Sequence, residues 1–383
     1  MNTALSEAAR RGGQPLLAAA LCDSRARTLA LLDAYAAALG ESLVVPYSVQ
    51  INPPRWEAGH VGWFQDYWIA RNLQRAQGIA CDPDHERSAG RLPQADALYD
   101  SSHVAHATRW ELDLPDLAAT RGYLADGLAE TLSLLAATPE TDEALYFFRL
   151  VLFHEDMHGE AGIYMAQALD IPLPESLLAP ATGALPAADT LALPGQNWTL
   201  GWTGDGFAFD NELAPWEVTL PALEIDSDVV RWRRYLPFVE QGGAAPPRYL
   251  RKQRGEWQHR VFGQWRSLPL DAPATHLAWT EADAWCRWAR RRLPSEAEWE
   301  MAASTRPEFH WGQVWEWTAS RFVPYPGFAP HPYRDYSAPW FGDRYVLRGA
   351  SRATAPRMAH PRYRNYFAPE RNDLYNGFRS CRP

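Results

Sequence analysis

Cysteine is scarce in this sequence of 383 residues, and its positions argue against two common structural roles. The four cysteines, Cys22, Cys81, Cys286 and Cys381, lie far apart and form no Cys-x-x-Cys pair. Neither a disulfide framework nor a zinc site built from thiolates is therefore expected. Sparse, unpaired cysteines are typical of a reducing compartment, and we predict a cytoplasmic protein.

Positive charge is also in short supply, and long apolar runs are missing. The chain carries 37 Lys and Arg against 46 Asp and Glu, which gives a formal net charge of -9. A protein of this charge is poorly suited to binding the phosphates of nucleic acids. No run approaches the roughly 18 apolar residues that a membrane-spanning helix needs. We therefore expect neither a nucleic acid nor a membrane as a partner.

Aromatic residues, in contrast, are abundant. The sequence contains 18 Trp, 16 Tyr and 14 Phe, and many of these rings stand among polar neighbours. Aromatic faces attract cations, and quaternary ammonium groups are frequent ligands of aromatic walls. Packing in the core is the alternative explanation for each single tryptophan.

The pattern of the chain changes near its middle, which predicts two domains. Residues 1–175 show helical periodicity, residues 176–194 are rich in Pro and Ala like a linker, and residues 195–383 combine short strands with turns. We predict a multidomain protein in which an all-α four-helix bundle precedes an α+β domain. The predicted helices span residues 25–39, 55–73, 115–135 and 140–169 in the first domain and 280–291 in the second.

Two histidines four residues apart mark the strongest candidate for a metal site. His154 and His158 would lie on the same face of a helix, so that both imidazoles can bind one ion. The preceding residues 143–153 are largely apolar, which indicates that the helix carries the pair into the interior. A pair of hydrogen-bonded core histidines is the alternative interpretation.

His60 is the candidate for a third ligand. Trp56, His60, Phe64 and Tyr67 follow helical spacing, so His60 faces the core together with bulky rings. Helical bundles build metal sites from facing helices, and we therefore expect His60 to meet the downstream pair. Three neutral imidazoles would leave a divalent ion its full charge and open positions for substrates and dioxygen.

The string His-Glu-x-x-His at 154–158 also matches zinc peptidases, in which Glu155 would act as the base. Ala161 and Tyr164 occupy the Gly and His positions of the extended metzincin pattern, so only another zincin type remains, with Glu175 as its ligand. A zinc metallopeptidase is thus a remote alternative. A non-catalytic module that captures a cationic ligand is a further one.

Several motifs, in their order along the chain, resemble the ergothioneine-pathway sulfoxide synthases. The segments 56–64 and 154–160 are similar to the DinB-like helical half of that family. The second half resembles the formylglycine-generating-enzyme module, which has a C-type-lectin-like fold. The segments that carry this second resemblance are 207–212, 292–300, 314–317, 346–351 and 377–379.

The resemblance implies a specific fold and excludes one chemistry. It implies a DinB-like four-helix bundle joined to a domain like the formylglycine-generating enzymes. Those enzymes bind copper through a cysteine pair in the segment that corresponds to 352–367, and this segment contains no cysteine. We therefore expect the second domain to serve as a lid and substrate wall instead of a copper oxidase.

By the same resemblance, His60, His154 and His158 would be the ligands of Fe(II) in a non-haem iron enzyme. Such an enzyme uses dioxygen as a cosubstrate. It joins C2 of the imidazole of hercynine, the trimethylated betaine of histidine, to a chalcogen donor.

The resemblance also implies residues that bind the substrate or donate a proton. Arg364, Asn365 and Tyr366 correspond to the wall against the trimethylammonium and carboxylate groups of hercynine. In some members a tyrosine of the C-terminal module supplies a proton, and Tyr325 and Tyr333 are the candidates in this chain.

Two departures from the family concern the chalcogen donor. Met157 stands where the family often has Gln, and Phe367 stands where it often has an acidic residue that helps to bind a cysteine-type donor. The segments 52–57, 65–68 and 99–102 look closer to the selenoneine synthase branch, which takes selenium from a selenosugar. We therefore predict a synthase that forms a C–Se bond between hercynine and a selenosugar. A sulfoxide synthase that uses γ-glutamylcysteine or cysteine is the alternative.

Overall fold

Helices build the first half of the chain, and short strands are frequent in the second. The computed structural model describes residues 3–180 and 190–383. A one-turn π-helix, Asp66–Ala70, extends the third helix. The α-helices of the first half are α1 (Ala4–Arg11), α2 (Gln14–Leu39), α3 (Pro54–Gln65), α4 (Ala95–Tyr99), α5 (Leu117–Ala136) and α6 (Asp142–Ala168).

Local sequence signals determine where the long helices begin. Pro54 opens α3, where a proline costs no hydrogen bond because the first amides of a helix have no partner within it. The side chain of Thr141 caps α6 by accepting a hydrogen bond from the Ala144 amide at 3.3 Å. Asp116 caps α5 in the same way, with a distance of 2.8 Å to the Ala119 amide.

The helices α2, α3, α5 and α6 pack against one another around a shared apolar interior. In α6, residues 144–156 are buried without interruption, which agrees with the prediction that this helix carries the His pair inward. The helix predicted at 25–39 begins earlier, at Gln14, because Leu17 and Leu21 continue its buried side. The helix predicted at 55–73 changes to the π-helix after Gln65.

Residues 190–383, all of them described, form four small sheets and three α-helices. The helices are α7 (Trp232–Glu240), α8 (Trp279–Trp288) and α9 (Glu296–Thr305). The strands are β1 (Thr190–Leu193), β2 (Gln196–Leu200), β3 (Trp216–Leu220), β4 (Leu223–Asp226), β5 (Leu250–Gln253), β6 (Glu256–Val261), β7 (Gln264–Ser267), β8 (Trp315–Arg321), β9 (Tyr345–Gly349), β10 (Asn365–Phe367) and β11 (Asn376–Phe378).

The largest sheet has the strand order β10-β9-β8-β11, in which only β8 and β11 run parallel. The pairs β1-β4 and β2-β3 and the triplet β5-β6-β7 are antiparallel. This mixture of helices and short strands agrees with the predicted α+β composition, and α8 is the helix predicted at 280–291. Strand β1 lies within the predicted linker 176–194, of which residues 181–189 lie outside the described residues.

Buried ion pairs hold the interior of the second half together. Arg379 and Glu316 form two hydrogen bonds of 2.5 and 2.8 Å, and both side chains are 0% exposed. Glu296 accepts from Arg348 at 2.8 Å and from Arg364 at 2.9 and 3.0 Å. A buried charge needs such partners because an unpaired one is costly to remove from water.

Polar contacts also join the two halves of the chain. Arg10 of α1 pairs with Glu212 at 2.7 Å. Arg357 contacts Asp156 of α6 at 2.6 Å, and the indole nitrogen of Trp315 donates to a Glu160 oxygen at 2.7 Å. The C-terminal half therefore packs directly against α6, beside the His pair. Among the described helices, none has both the length and the apolarity needed to cross a bilayer.

Candidate metal centre

The three predicted histidines meet at one point inside the helical half. His60 lies on α3, and His154 and His158 lie one turn apart on α6. One ligand atom from each residue lies within 4.8 Å of the other two. The ring centroids are 5.1, 4.8 and 4.4 Å apart, so the imidazoles surround a common centre.

Hydrogen bonds fix which ring nitrogens face this centre. The Nδ1 atom of His60 lies 2.8 Å from the carbonyl oxygen of Tyr99. The Nδ1 atom of His158 lies 2.5 Å from Oε2 of Glu57. In both rings Nδ1 is thereby occupied and Nε2 is left for a ligand bond, which is the usual arrangement around a metal-binding histidine.

His154 supplies the clearest sign that the cluster is built to hold an ion. Its Nε2 atom is buried and has no hydrogen-bond partner within residues 3–180 and 190–383. Buried polar atoms nearly always have a partner, so one left alone beside two other imidazoles calls for a ligand. Nitrogen donors of this kind suit Fe, Zn, Cu and Ni ions better than Mg or Ca ions.

Burial keeps the imidazoles of His60 and His154 neutral. Desolvation, reinforced by the neighbouring His158, lowers the pKa of His60 to about 3. Desolvation also holds the pKa of His154 well below its usual value. A neutral imidazole offers the lone pair that a metal needs. Although burial acts to raise the pKa of Glu57, the contact with His158 lowers it to about 2, so its carboxylate stays charged.

Aromatic packing restrains the rings of the cluster. Phe64 stacks on His154 with centroids 3.5 Å apart and planes at 4°. Trp56 stacks on His60 at 4.9 Å and 9°. These contacts limit rotation of the imidazoles, and preorganised ligands lose little entropy when an ion binds.

A cavity of about 230 Å³ lies beside His158, at the junction of the two halves. The helical half contributes Met157, and the C-terminal half contributes Asn365 and Phe367, all three predicted to bind substrate. No Arg or Lys lines this cavity. The full lining is Asn52, Glu57, Met157, His158, Glu160, Ala161, Tyr164, Trp315, Met358, Tyr363, Asn365, Phe367 and Leu374.

Two of the residues predicted to bind substrate, Arg364 and Tyr366, do not line this cavity. Arg364 is 0% exposed, and its guanidinium is bonded to Glu296 and to the carbonyl oxygens of Asn211 and Val323. All of these bonds lie inside the C-terminal half, so Arg364 does not line the cavity. Tyr366 stacks on Phe322 at 3.9 Å and does not line it either. Strand β10 points only its residues 365 and 367 at the cavity, because alternate side chains face opposite sides.

The two candidate tyrosines occupy different surroundings. The Tyr333 ring contacts Phe64 at 4.8 Å and lies 6.2 Å from the His154 ring. The Tyr325 hydroxyl lies 3.3 Å from Glu296 and 3.0 Å from the guanidinium of Arg348. The structure therefore brings Tyr333 to the histidine cluster and holds Tyr325 in the ion pairs of the C-terminal half.

The glutamate of the His-Glu-x-x-His string turns away from the cluster. Glu155 is bonded to Arg25 at 2.7 and 3.0 Å and accepts from Thr28 at 2.8 Å, all on the side of α2. Because one residue along a helix is a rotation of about 100°, Glu155 cannot face the same point as His154. The glutamate that the remote peptidase alternative needs as its base therefore lies away from this centre.

Sequence reasoning missed two residues that orient the cluster, Glu57 and Tyr99. Glu57 lies three positions before His60, so helical spacing alone would have placed it on the same face. Tyr99 acts through its backbone carbonyl, and a carbonyl leaves no signal in the sequence.

Comparison with known proteins identifies the family. Residues 176–313 and 308–383 match the sulfatase-modifying factor enzyme 1-like domain. Hercynine oxygenase of Mycobacterium tuberculosis is 31% identical over 95% of this chain and 97% of its own length. The hercynine oxygenase of Mycolicibacterium smegmatis is 30% identical over 95% and 97%.

The formylglycine-generating enzyme of Streptomyces coelicolor is 27% identical over 48% of this chain and 85% of its own length. The predicted likeness of the C-terminal half to that module is confirmed by the domain match. The chain therefore belongs to the hercynine oxygenase family and carries a sulfatase-modifying factor enzyme 1-like domain in its C-terminal half.

Proposed function

We propose that this chain is a non-haem Fe(II)- and O2-dependent synthase that joins C2 of the hercynine imidazole to the selenium of a selenosugar. Its relatives are named hercynine oxygenase, which supports hercynine as the acceptor and dioxygen as the oxidant. In this proposal residues 1–175 form a DinB-like bundle that holds iron, the linker ends before strand β1, and the chain from β1 onward forms the lid.

One observation carries the proposal. The ligand atoms of His60, His154 and His158 converge within 4.8 Å, beside a cavity whose lining contains no Arg or Lys. These three imidazoles would hold the iron. When bound, Fe(II) would supply the one-electron chemistry that lets dioxygen react with organic substrates.

The protein's own groups would orient the reactants and move a proton. Glu57 and the Tyr99 carbonyl hold the rings of His158 and His60 in position. Burial raises the pKa of Tyr333, so its hydroxyl keeps a proton at neutral pH and can donate it next to His154. The C-terminal half would exclude water from the cavity.

The cavity lining favours a neutral chalcogen donor. γ-Glutamylcysteine would add two carboxylates to the one that hercynine carries, and the lining has no Arg or Lys to compensate their loss of water. A selenosugar carries hydroxyl groups, which Asn52, Tyr164 and Asn365 can bind. The charge of Glu57 and the aromatic rings of the lining suit the trimethylammonium group of hercynine.

The reaction balances in either of two forms. Bond formation takes one hydrogen from C2 and one from the selenol, and the two electrons released pass to dioxygen. Reduction by these electrons alone gives a selenide and hydrogen peroxide. Transfer of one oxygen atom to selenium gives a selenoxide and water. The two products differ by the mass of one oxygen atom.

Anaerobic reconstitution with Fe(II), followed by hercynine and a selenosugar under air, tests the proposal. We expect a selenium-containing product substituted at C2, detected by mass spectrometry, and none without oxygen or with Zn(II) in place of Fe(II). Protein that holds stoichiometric Fe(II) and forms no C2-substituted product would refute the assignment.

A competition experiment tests the choice of donor. The selenosugar, γ-glutamylcysteine and cysteine are offered together at equal concentration, and the products are separated by mass. We expect the selenium product to dominate. A dominant sulfoxide would instead assign the chain to the sulfoxide synthases.

A further inference from the structure

A second cavity, of about 390 Å³, lies between the sheet β5-β6-β7 and the end of the helical half, which contributes Gln167 of α6 and Leu178 to its lining. We call it the arginine cavity because Arg231, Arg248, Arg260 and Arg352 line it. It shares no lining residue with the cavity beside the histidine cluster. The proposed reaction therefore leaves this second cavity unexplained.

Unusual backbone conformations concentrate in the arginine cavity. Tyr249, Phe262 and His276 have φ angles of 65°, 44° and 60°, and all three line it. They are three of the eight non-glycine residues with positive φ in the described part of the chain. A bulky residue in this region is strained, and strain of this kind clusters at binding and catalytic sites.

Polar atoms without a partner concentrate there as well. The hydroxyl of Tyr249, Nε of Arg260, Oγ1 of Thr275 and Nδ1 of His276 are buried and make no hydrogen bond of good geometry among the described residues. The Tyr249 side chain does interact with Arg248, and the His276 ring interacts with the backbone of Asp373 and Leu374. Tyr249 and His276 are only 8% and 7% exposed. Four such atoms around one cavity indicate a ligand that would satisfy them.

The charge of the cavity selects the ligand. Within residues 3–180 and 190–383, neither Arg248 nor Arg352 forms an ion pair. Their partners are neutral oxygens, such as Oε1 of Gln50 at 2.5 Å from Arg248 and the carbonyl oxygen of Ala179 at 2.9 Å from Arg352. Arg231 and Arg260 are already paired, with Asp228 at 2.5 Å and with Asp170 at 3.2 Å. The one acidic residue of the lining, Asp271, is already paired with Arg233, at 2.5 Å. Rings of Tyr249, Phe262 and Tyr375 add apolar surface.

We propose that the arginine cavity is a second small-molecule site, which binds a ligand that joins an anionic group, a carboxylate or a phosphate, to an apolar ring or chain. Arg248 and Arg352 bind the anion, and the hydroxyls of Tyr249 and Thr275 donate to it. The aromatic rings pack against the apolar part. The two cavities differ in charge, because the cavity beside the histidine cluster has no Arg or Lys in its lining.

Isothermal titration calorimetry of the full chain, kept metal-free with a chelator, tests this site with phenyl phosphate and benzoate. We expect saturable binding of at least one probe, and the tighter one identifies the preferred anion. Benzyl alcohol and inorganic phosphate each offer half of the ligand and should bind at least about 10-fold more weakly. If neither anionic probe shows saturable binding, the proposal is wrong.

Single substitutions locate the bound probe. Arg352→Gln should weaken binding by roughly 10-fold or more, since it removes a charged donor. Tyr249→Phe keeps the ring and should weaken it by roughly 5-fold. Arg251→Gln is the matched control, because Arg251 lies on β5, stacks on Trp265 at 4.1 Å and does not line the cavity.

Two control variants show whether the probe binds in the arginine cavity. Arg251→Gln should leave the affinity unchanged, and a loss equal to that of Arg352→Gln would reduce the effect to net charge and overturn the proposal. His60→Ala should also bind the probe like the original chain. If His60→Ala abolishes binding, the probe sits at the histidine cluster and the arginine cavity is not its site.

Discussion

Two regions of this protein treat buried polar groups in opposite ways. At the histidine cluster, three imidazoles converge and one of them, His154, has a ring nitrogen without a partner among the described residues. Around the largest sheet of the C-terminal half, buried charges such as Glu316 and Arg379 are matched to each other. Groups that satisfy each other stabilise a scaffold, whereas groups left unsatisfied are available to a ligand. The histidine cluster is therefore the region suited to hold an ion, and the paired charges support the fold.

The largest effect is expected from removing one imidazole. His60→Ala should abolish stoichiometric iron binding and, with it, turnover, because two imidazoles leave the ion poorly held. Iron per chain after gel filtration measures the loss. His103→Ala is the control, since the His103 side chain is 83% exposed. Retention of both iron and activity in His60→Ala would show that His60 is not a metal ligand.

The two tyrosines compare the halves directly. Tyr333→Phe should lower turnover by roughly 100-fold or more at unchanged iron content, because it removes a proton donor beside His154. Tyr325→Phe should leave turnover per folded molecule unchanged and cost about 1 kcal/mol of stability, because its hydroxyl only serves Glu296 and Arg348. The opposite result would move the proton donor into the C-terminal half.

Breaking a buried ion pair should destabilise the scaffold without touching the metal. Arg379→Met leaves Glu316 buried and unpaired, and we expect a loss of about 3–5 kcal/mol in the free energy of unfolding, measured with urea. Arg233→Met is the matched control, since Arg233 and Asp271 are 56% and 55% exposed and their ion pair should contribute little to stability. Equal losses would contradict the difference between buried and exposed pairs.

A pH dependence of stability is expected from His276, which lines the arginine cavity. Burial lowers the pKa of His276 to about 4, whereas an unfolded histidine has a pKa near 6.5. Below about pH 6.5 His276 binds a proton in the unfolded chain but stays neutral in the folded chain. The free energy of unfolding therefore falls as the pH decreases from about 6.5 to about 4.

The difference between the pKa of His276 in the folded and in the unfolded chain corresponds to about 3 kcal/mol of stability. The variant His276→Gln should not lose this part of its stability at acid pH. Urea unfolding of the metal-free protein at pH 7, 5.5 and 4.5 measures the difference. Identical pH profiles for the two proteins would show that His276 is not held neutral by burial.

The smallest effect is expected from the residue that orients a ligand. Glu57→Gln keeps the size of the side chain and removes the charge beside Nδ1 of His158. We expect iron affinity to fall by roughly 10- to 100-fold while iron still binds at saturating concentration. A competition titration against a chelator measures the change. An unchanged affinity would mean that the Glu57 contact does not tune the metal.

The sequence predicted the histidine cluster because helical spacing is simple and regular. Residues four apart share a face, and the apolar run before His154 shows which face is buried. The same spacing would have found Glu57. The roles of Arg364 and Tyr366 could not be read in this way, because alternation along β10 and the bonds of Glu296 decide where these side chains lie.

The arginine cavity left no trace in the sequence either. Its residues come from separate loops and strands, and positive φ angles at Tyr249, Phe262 and His276 follow from tertiary packing instead of local pattern. Ion pairs between residues far apart in the chain, such as Arg25 and Glu155, could not be predicted from the sequence either. Local rules find groups on one element, and only the folded chain brings groups from several elements together.

All three imidazoles belong to α3 and α6, whereas half of the cavity wall belongs to the opposite half of the chain. In the proposed enzyme, holding the ion and enclosing the reactants would thus be tasks of different halves of the chain. An exchange of substrate and product on the side of the C-terminal half would leave every protein ligand of the ion in place. We therefore expect many turnovers for each loading with iron.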